Sequence, residues 1–77
     1  MQDLTGRHRA VQDVMRHFTY DHLPPNLQAV SRPVCELAHH MLEVIPADDP
    51  ELTRGLHRLL EAKDALVRAA LPPKEGS

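Results

Sequence analysis

The chain has 77 residues, of which 42% are hydrophobic and 26% charged, and nine Lys and Arg against eleven Asp and Glu give a formal net charge of -2. A chain this short holds one small domain, because two separate cores would bury too little surface each. The acidic balance argues against DNA binding through phosphate neutralisation, and the single cysteine excludes an internal disulfide. No apolar run approaches the roughly 20 residues of a membrane span, and the N-terminus lacks the apolar core of a signal peptide, so we expect a cytoplasmic protein.

The first predicted element is a helix over residues 3 to 18. Apolar residues recur there with helical spacing and share one face: Val11, Val14, Met15 and Phe18. Asp3 and Thr5 are both candidates for its N-cap, since their side-chain oxygens can accept a bond from a backbone N–H in the first turn. We therefore expect this helix to cover a core built from the rest of the chain.

The second predicted helix ends near Ile45. Its apolar residues are spaced 4, 3, 4 and 3 apart, which is the heptad-like spacing of a seam that packs against another helix: Val30, Val34, Leu37, Met41 and Val44. The sequence offers two candidate starts for this helix. Ser31 caps a helix with Pro33 in its first turn, or Asn26 caps a longer helix that Pro33 kinks.

The third predicted helix runs from Pro50 to about Leu71. Asp48 or Asp49 supplies the cap, and Pro50 has the φ of a first helical residue. Its predicted seam contains one charged residue, Lys63: Leu52, Leu56, Leu59, Lys63, Leu66 and Ala70. A lysine there snorkels to water, pairs with a carboxylate, meets an anion between subunits, or fixes the register of packed helices.

The loop between the second and third helices is short, which favours an antiparallel helical hairpin. We therefore expect one all-α domain over 1–77, with an N-terminal helix and Pro-rich loop (1–25), the hairpin (26–71) and a polar tail (72–77). A core of this size stabilises a chain by only about 3–5 kcal/mol. Self-association into a homo-oligomer is the expected way to bury more surface.

The six histidines raise the question of a metal site. Cys35 with His39, and Glu36 with His40, are four residues apart and offer two ligands each, but no further ligands follow at a recognisable spacing. We therefore expect no metal and no cofactor. We also expect no enzyme, because the sequence lacks a credible nucleophile and base pair. Cys35 is interpreted as a small buried side chain.

Tyr20 is the aromatic residue that lies outside the apolar pattern of the first predicted helix. It precedes a Pro-rich turn, where an exposed ring can stack on a nucleobase or close the end of the core with its hydroxyl in water. Arg32 lies near one of the two candidate starts of the second helix, where free N–H groups and positive charge favour phosphate.

The order of short motifs from Phe18 onward matches that of a known family. The residues that carry the match are an F-x-Y segment, Leu-Ala-x-x-Met, a helix-ending proline, Leu-Glu, and Ala-Ala-Leu: Phe18, Tyr20, Leu37, Ala38, Met41, Pro46, Leu60, Glu61, Ala69, Ala70 and Leu71. In this the chain resembles the phage anti-CBASS sponges, small proteins that sequester cyclic oligonucleotides. The match covers about two thirds of the chain.

The resemblance implies an all-α homo-oligomer, a hexamer in the family, that binds cyclic di- or trinucleotide messengers without cleaving them. Such a protein antagonises anti-phage immune signalling in the cytoplasm of the infected host cell. By the same resemblance Tyr20 stacks on the nucleotide, and the basic position that contacts phosphate falls on Arg32 or Ser31. His22 beside Tyr20, Lys63 in the third seam and Lys74 in the tail complete the candidate ligand-binding set.

Two positions favour cyclic dinucleotides over trinucleotides as ligands. Where the family's trinucleotide site has a Thr and an Arg, this chain has Pro33 and Pro73. The alternative function is a small helical structural or protein-interaction subunit, whose seams bind another helix and which has no nucleotide ligand. That alternative does not need Tyr20 or Arg32 at a surface.

Overall fold

The computed structural model describes Leu4 and residues 6–71, and within them the chain forms three helices and no strand. The helices are α1 (Arg9–Met15), α2 (Pro25–Val44) and α3 (Pro50–Ala70). The predicted all-α class is confirmed for this part of the chain. None of these helices is long and apolar enough to cross a membrane.

Helix α1 is shorter than the predicted helix over 3 to 18, which is wrong at both ends. It begins at Arg9 because His8 is the N-cap, and His8 Nδ1 accepts a hydrogen bond from the N–H of Ala10 at 3.0 Å. The predicted caps at positions 3 and 5 lie outside the described residues. The predicted apolar face is confirmed, since all four of its members are buried: Val11, Val14, Met15 and Phe18.

The start of α1 is tied to the loop between α2 and α3. Asp48 accepts from the guanidinium of Arg7 at 2.7 Å and from the N–H of His8 at 2.5 Å. The same guanidinium donates to the carbonyls of Leu42, Ile45 and Pro46. Carbonyls at a helix C-terminus have no partner within the helix, so Arg7 caps α2 while Asp48 positions α1.

Helix α2 begins at Pro25, so the longer of the two predicted helices is confirmed. Its N-cap position is Pro24 rather than Asn26, and no side chain caps it. Pro25 fits the first turn because the N–H that proline lacks would have no helical partner there. Pro33 lies inside the helix, where it cannot donate to the carbonyl four residues back.

The face of α2 that meets the core lies one residue away from the predicted seam. Its buried residues are Leu27, Ser31, Cys35, Ala38 and Leu42. Leu37 and Val44 of the predicted seam are instead 45% and 55% exposed. The predicted register is therefore wrong for most of the helix. The prediction followed the large apolar side chains, whereas the face of α2 that packs on the core includes small side chains such as Ser31 and Ala38.

Helix α3 is confirmed at both ends to within one residue. Asp49 Oδ1 accepts from the N–H of Glu51 at 2.8 Å, and the helix ends at Ala70, one residue before Leu71. Its seam is buried at Leu52, Leu56 and Lys63 but exposed at Leu66. Helix α3 packs against both α1 and α2, so the core forms where these two helices meet α3.

Candidate functional site

A cavity of about 580 Å³ lies between the loop that follows α1 and the C-terminal half of α2. We call it the Tyr20 cavity, and its walls are formed by Phe18, Thr19, Tyr20, Asp21, Cys35, Glu36, His39, His40 and Glu43. Small-molecule sites in proteins have volumes of roughly 300–1,000 Å³. The cavity is therefore large enough for a ligand of nucleotide size.

Tyr20 is half-buried at this cavity and packs against the hydrophobic core. Its backbone is held by a turn, in which the N–H of Leu23 donates to the Tyr20 carbonyl at 3.0 Å. The side chain of Gln28 in α2 then donates to the Leu23 carbonyl at 2.6 Å. Tyr20 thus packs against the core, as one of the two sequence interpretations expects, and it also lines the cavity.

The walls of the Tyr20 cavity carry an excess of negative charge. Three carboxylates line it, from Asp21, Glu36 and Glu43, together with His39 and His40, and no Lys or Arg is among its lining residues. His40 Nδ1 lies 3.7 Å from Glu43 Oε2. A phosphate placed here would be repelled by these carboxylates, so an anionic ligand requires a cation brought in from outside the wall.

Arg32 is joined to this wall through one side chain. Its Nε donates to Glu36 Oε1 at 2.9 Å, and its own side chain is 63% exposed. The predicted reason for its role is wrong, however. Because α2 starts at Pro25, Arg32 lies about two turns inside the helix and away from the free N–H groups of the first turn.

Ser31 and Cys35 point into the core. Ser31 has no exposed surface, and its Oγ lies 3.8 Å from Cys35 Sγ. Burial raises the pKa of the Cys35 thiol, against the smaller lowering effects of Ser31 and Lys63. Cys35 therefore stays protonated and is a poor nucleophile. The described residues include no group of three or more His, Cys, Asp and Glu that could hold a metal ion.

A second, smaller hollow of about 260 Å³ brings His22 and Lys63 together. We call it the Lys63 hollow, and it is lined by His22, Leu23, Lys63, Asp64, Val67 and Arg68. Lys63 is 8% exposed, and its ammonium donates to the His17 carbonyl at 2.9 Å. Lys63 thus binds the backbone just after the end of α1, a role that is not among the four predicted for it.

Asp64 and Arg68 are the two charged residues of this hollow that the sequence pattern did not single out. The sequence signal for Arg68 was its position four residues after Asp64, which places these two side chains on one face of the helix. The spacing along this helix could not show that His22, from the turn before α2, lines the same hollow.

Ser31, the alternative phosphate contact, is buried and lines neither cavity, so the structure does not support it as a ligand residue. The other predicted ligand-binding residues within the described chain fall into two places. Tyr20 lines one cavity with Arg32 beside it, and His22 and Lys63 line the other. Lys74 lies outside the described residues. Comparisons with protein-family models, curated proteins and solved structures find no match to this chain. Its function must therefore be inferred from its residues and their geometry.

Proposed function

We propose that this protein sequesters cyclic di- or trinucleotide messengers, dinucleotides in preference, without cleaving them. In the cytoplasm of an infected host cell this would antagonise anti-phage immune signalling. The observation that carries the proposal is the position of Tyr20, whose ring is packed on the core and faces a cavity of about 580 Å³. A ring held in this way can stack on a base at little cost in conformational entropy. The motif resemblance to anti-CBASS sponges supplies the ligand class.

The affinity that sequestration requires points to an oligomer. A Kd near 1 nM corresponds to about -12 kcal/mol, whereas one stacked base contributes about 1–3 kcal/mol. We propose that α2 and α3 form a helical hairpin and that copies of it assemble, as a hexamer by the family resemblance. A neighbouring copy would then add contacts to the ligand. Assembly is supported by large apolar side chains at the surface, Leu37, Val44 and Leu66, which are 45%, 55% and 51% exposed.

Arg32 is the proposed phosphate ligand on this side of the molecule. Its pair with Glu36 is exposed on both sides, at 63% and 60% for the two side chains. Exposed pairs of this kind contribute only about 0–1 kcal/mol, so Arg32 can exchange the carboxylate for a phosphate at little cost. The exchange would bring one cation to the rim of an otherwise acidic cavity.

The test is to incubate the purified protein with a panel of cyclic di- and trinucleotides and to measure the shift in melting temperature. The protein is then heated, and the released ligand is analysed for cleavage. We expect stabilisation by at least one ligand and its recovery intact. Tyr20→Ala and Arg32→Ala should each abolish the shift, whereas Arg58→Ala, which removes another exposed paired arginine, should leave it unchanged.

Two results would contradict this proposal. Cleavage products in the heated sample would indicate an enzyme. No shift with any ligand would favour the alternative, a helical protein-interaction subunit, for which the exposed Leu37 and Val44 are the supporting observation. If the ligand binds but both site variants bind it normally, the Tyr20 site is wrong even though the proposed function is supported.

A further inference from the structure

The Lys63 hollow differs from the Tyr20 cavity in the sign of its charge. Its lining residues include two basic side chains, Lys63 and Arg68, against one carboxylate, Asp64, and His22 adds an imidazole. The Tyr20 cavity has three carboxylates and neither Lys nor Arg in its walls. The part of the described surface between the turn before α2 and the C-terminal half of α3 is thus suited to an anion.

The ammonium of Lys63 is held in position and partly removed from water. Only 8% of the residue is exposed, and one N–H donates to the His17 carbonyl. An ammonium has three donors, and no other bond of this group is made within the described chain. A fixed, poorly hydrated charge attracts an anion more strongly than a charge on a flexible exposed side chain, because the local dielectric is lower.

Arg68 supplies the second cation from the last turn of α3. The other exposed arginines of this helix are already paired, Arg54 with Glu51 and Arg58 with Glu61. Arg68 makes no ion pair within the described residues, although Asp64 stands four positions earlier on the same helix. Its planar guanidinium can therefore turn to a ligand in the hollow, and its paired N–H groups match two oxygens of a phosphate.

We propose that the Lys63 hollow binds a phosphoryl group, with Arg68, Lys63 and His22 as the donors. A volume of about 260 Å³ fits a phosphate and its ester oxygens but is below the usual range for a whole nucleotide, roughly 300–1,000 Å³. The group is either free inorganic phosphate or the phosphodiester of a larger ligand. This site needs only one chain and does not depend on Tyr20, so it goes beyond the proposed function.

The test is an NMR titration with inorganic phosphate at constant ionic strength, with chloride as the compensating ion. We expect saturable shifts of the amide signals of His22, Leu23, Asp64 and Arg68. Arg68→Gln should weaken binding about tenfold, since a charge-assisted hydrogen bond is lost. Asp64→Asn should strengthen it, because a repelling carboxylate is removed. Arg58→Gln is the matched control, an arginine of the same helix outside the hollow, and should bind as the unmodified protein does.

A second titration with a cyclic dinucleotide separates the two sources of the phosphoryl group. Shifts at the hollow with both ligands support a phosphodiester, and shifts with inorganic phosphate alone support free phosphate. The proposal is overturned if the hollow amides do not move with phosphate, or if Arg68→Gln binds as tightly as Arg58→Gln. Tyr20→Ala should leave the phosphate shifts intact, so failure of the nucleotide proposal would be seen separately.

Discussion

Leu42 and Leu37 of α2 should respond very differently to alanine. Leu42 is 3% exposed and belongs to the core, whereas Leu37 is 45% exposed. Leu→Ala at a buried position costs about 2–5 kcal/mol, because transfer energy is lost and a cavity remains. Full burial of a leucine is worth about 1.5–3 kcal/mol, so a residue that is nearly half exposed should cost about 1 kcal/mol or less.

The difference is large against the stability of so small a domain. A single core of this size stabilises a chain by only about 3–5 kcal/mol. Leu42→Ala should therefore remove a large share of the stability and lower the urea midpoint, measured by circular dichroism at a concentration where the chain is monomeric. Leu37→Ala should barely change that midpoint. Equal losses for the two variants would refute the register of α2 described above.

The same pair of variants tests the surface proposed for assembly. Sedimentation at high concentration should show Leu37→Ala shifted toward monomer, because its large exposed side chain is available to a second copy. The chain should remain helical while it dissociates. An oligomer unchanged in Leu37→Ala would show that copies meet through another surface.

Three further predictions follow from single side chains. The pKa of Asp48 is lowered in the folded protein, chiefly by the hydrogen bond from the His8 N–H and also by Arg7. The ionised carboxylate therefore stabilises the fold fully above its ordinary pKa of 3.8. That stabilisation is lost as the pH falls through the lower pKa of the folded state. In an acid titration followed by circular dichroism, Asp48→Asn should be less stable at neutral pH and should lose less stability over that window; identical acid profiles would contradict this. Burial raises the pKa of Cys35, so a thiol reagent should label it slowly in buffer and fast in urea, and rapid native labelling would show an open core. Pro33→Ala restores a helical N–H within α2 and should raise the free energy of unfolding by about 1–3 kcal/mol in urea melts, whereas a loss would mean that the proline is needed.

The third helix could be predicted closely because its signals are local. The cap at Asp49, Pro50 in the first turn and Glu51 lie within three consecutive residues. Local signals of this kind act through hydrogen bonds and φ preferences that do not depend on the rest of the fold. Its end could be predicted for a similar reason, since consecutive prolines follow it at once.

The start of α1 could not be predicted, because it depends on a distant partner. Asp48, which binds both Arg7 and the His8 N–H, is 40 positions along the chain from His8. No helical spacing brings such residues to attention. The sequence pattern over 3 to 18 shows which residues face the core but not how many of them are helical.

The predicted register of α2 was wrong for a different physical reason. Hydrophobic spacing identifies large apolar residues, but the closest helix contacts accept small side chains, here Ser31 and Ala38. Larger neighbours such as Val34 then pack at the edge of the core. The candidate sites were only partly predicted. Tyr20 could be found from its place before the Pro-rich turn, whereas the role of Arg68 depends on the fold, which brings it to the same hollow as His22.

Native mass spectrometry of the protein with a cyclic dinucleotide would show in one spectrum whether the chain assembles and whether the assembly holds the ligand. We expect an oligomer that carries intact ligand, with the ligand absent from Tyr20→Ala. A monomer that carries no ligand under the same conditions would contradict this expectation.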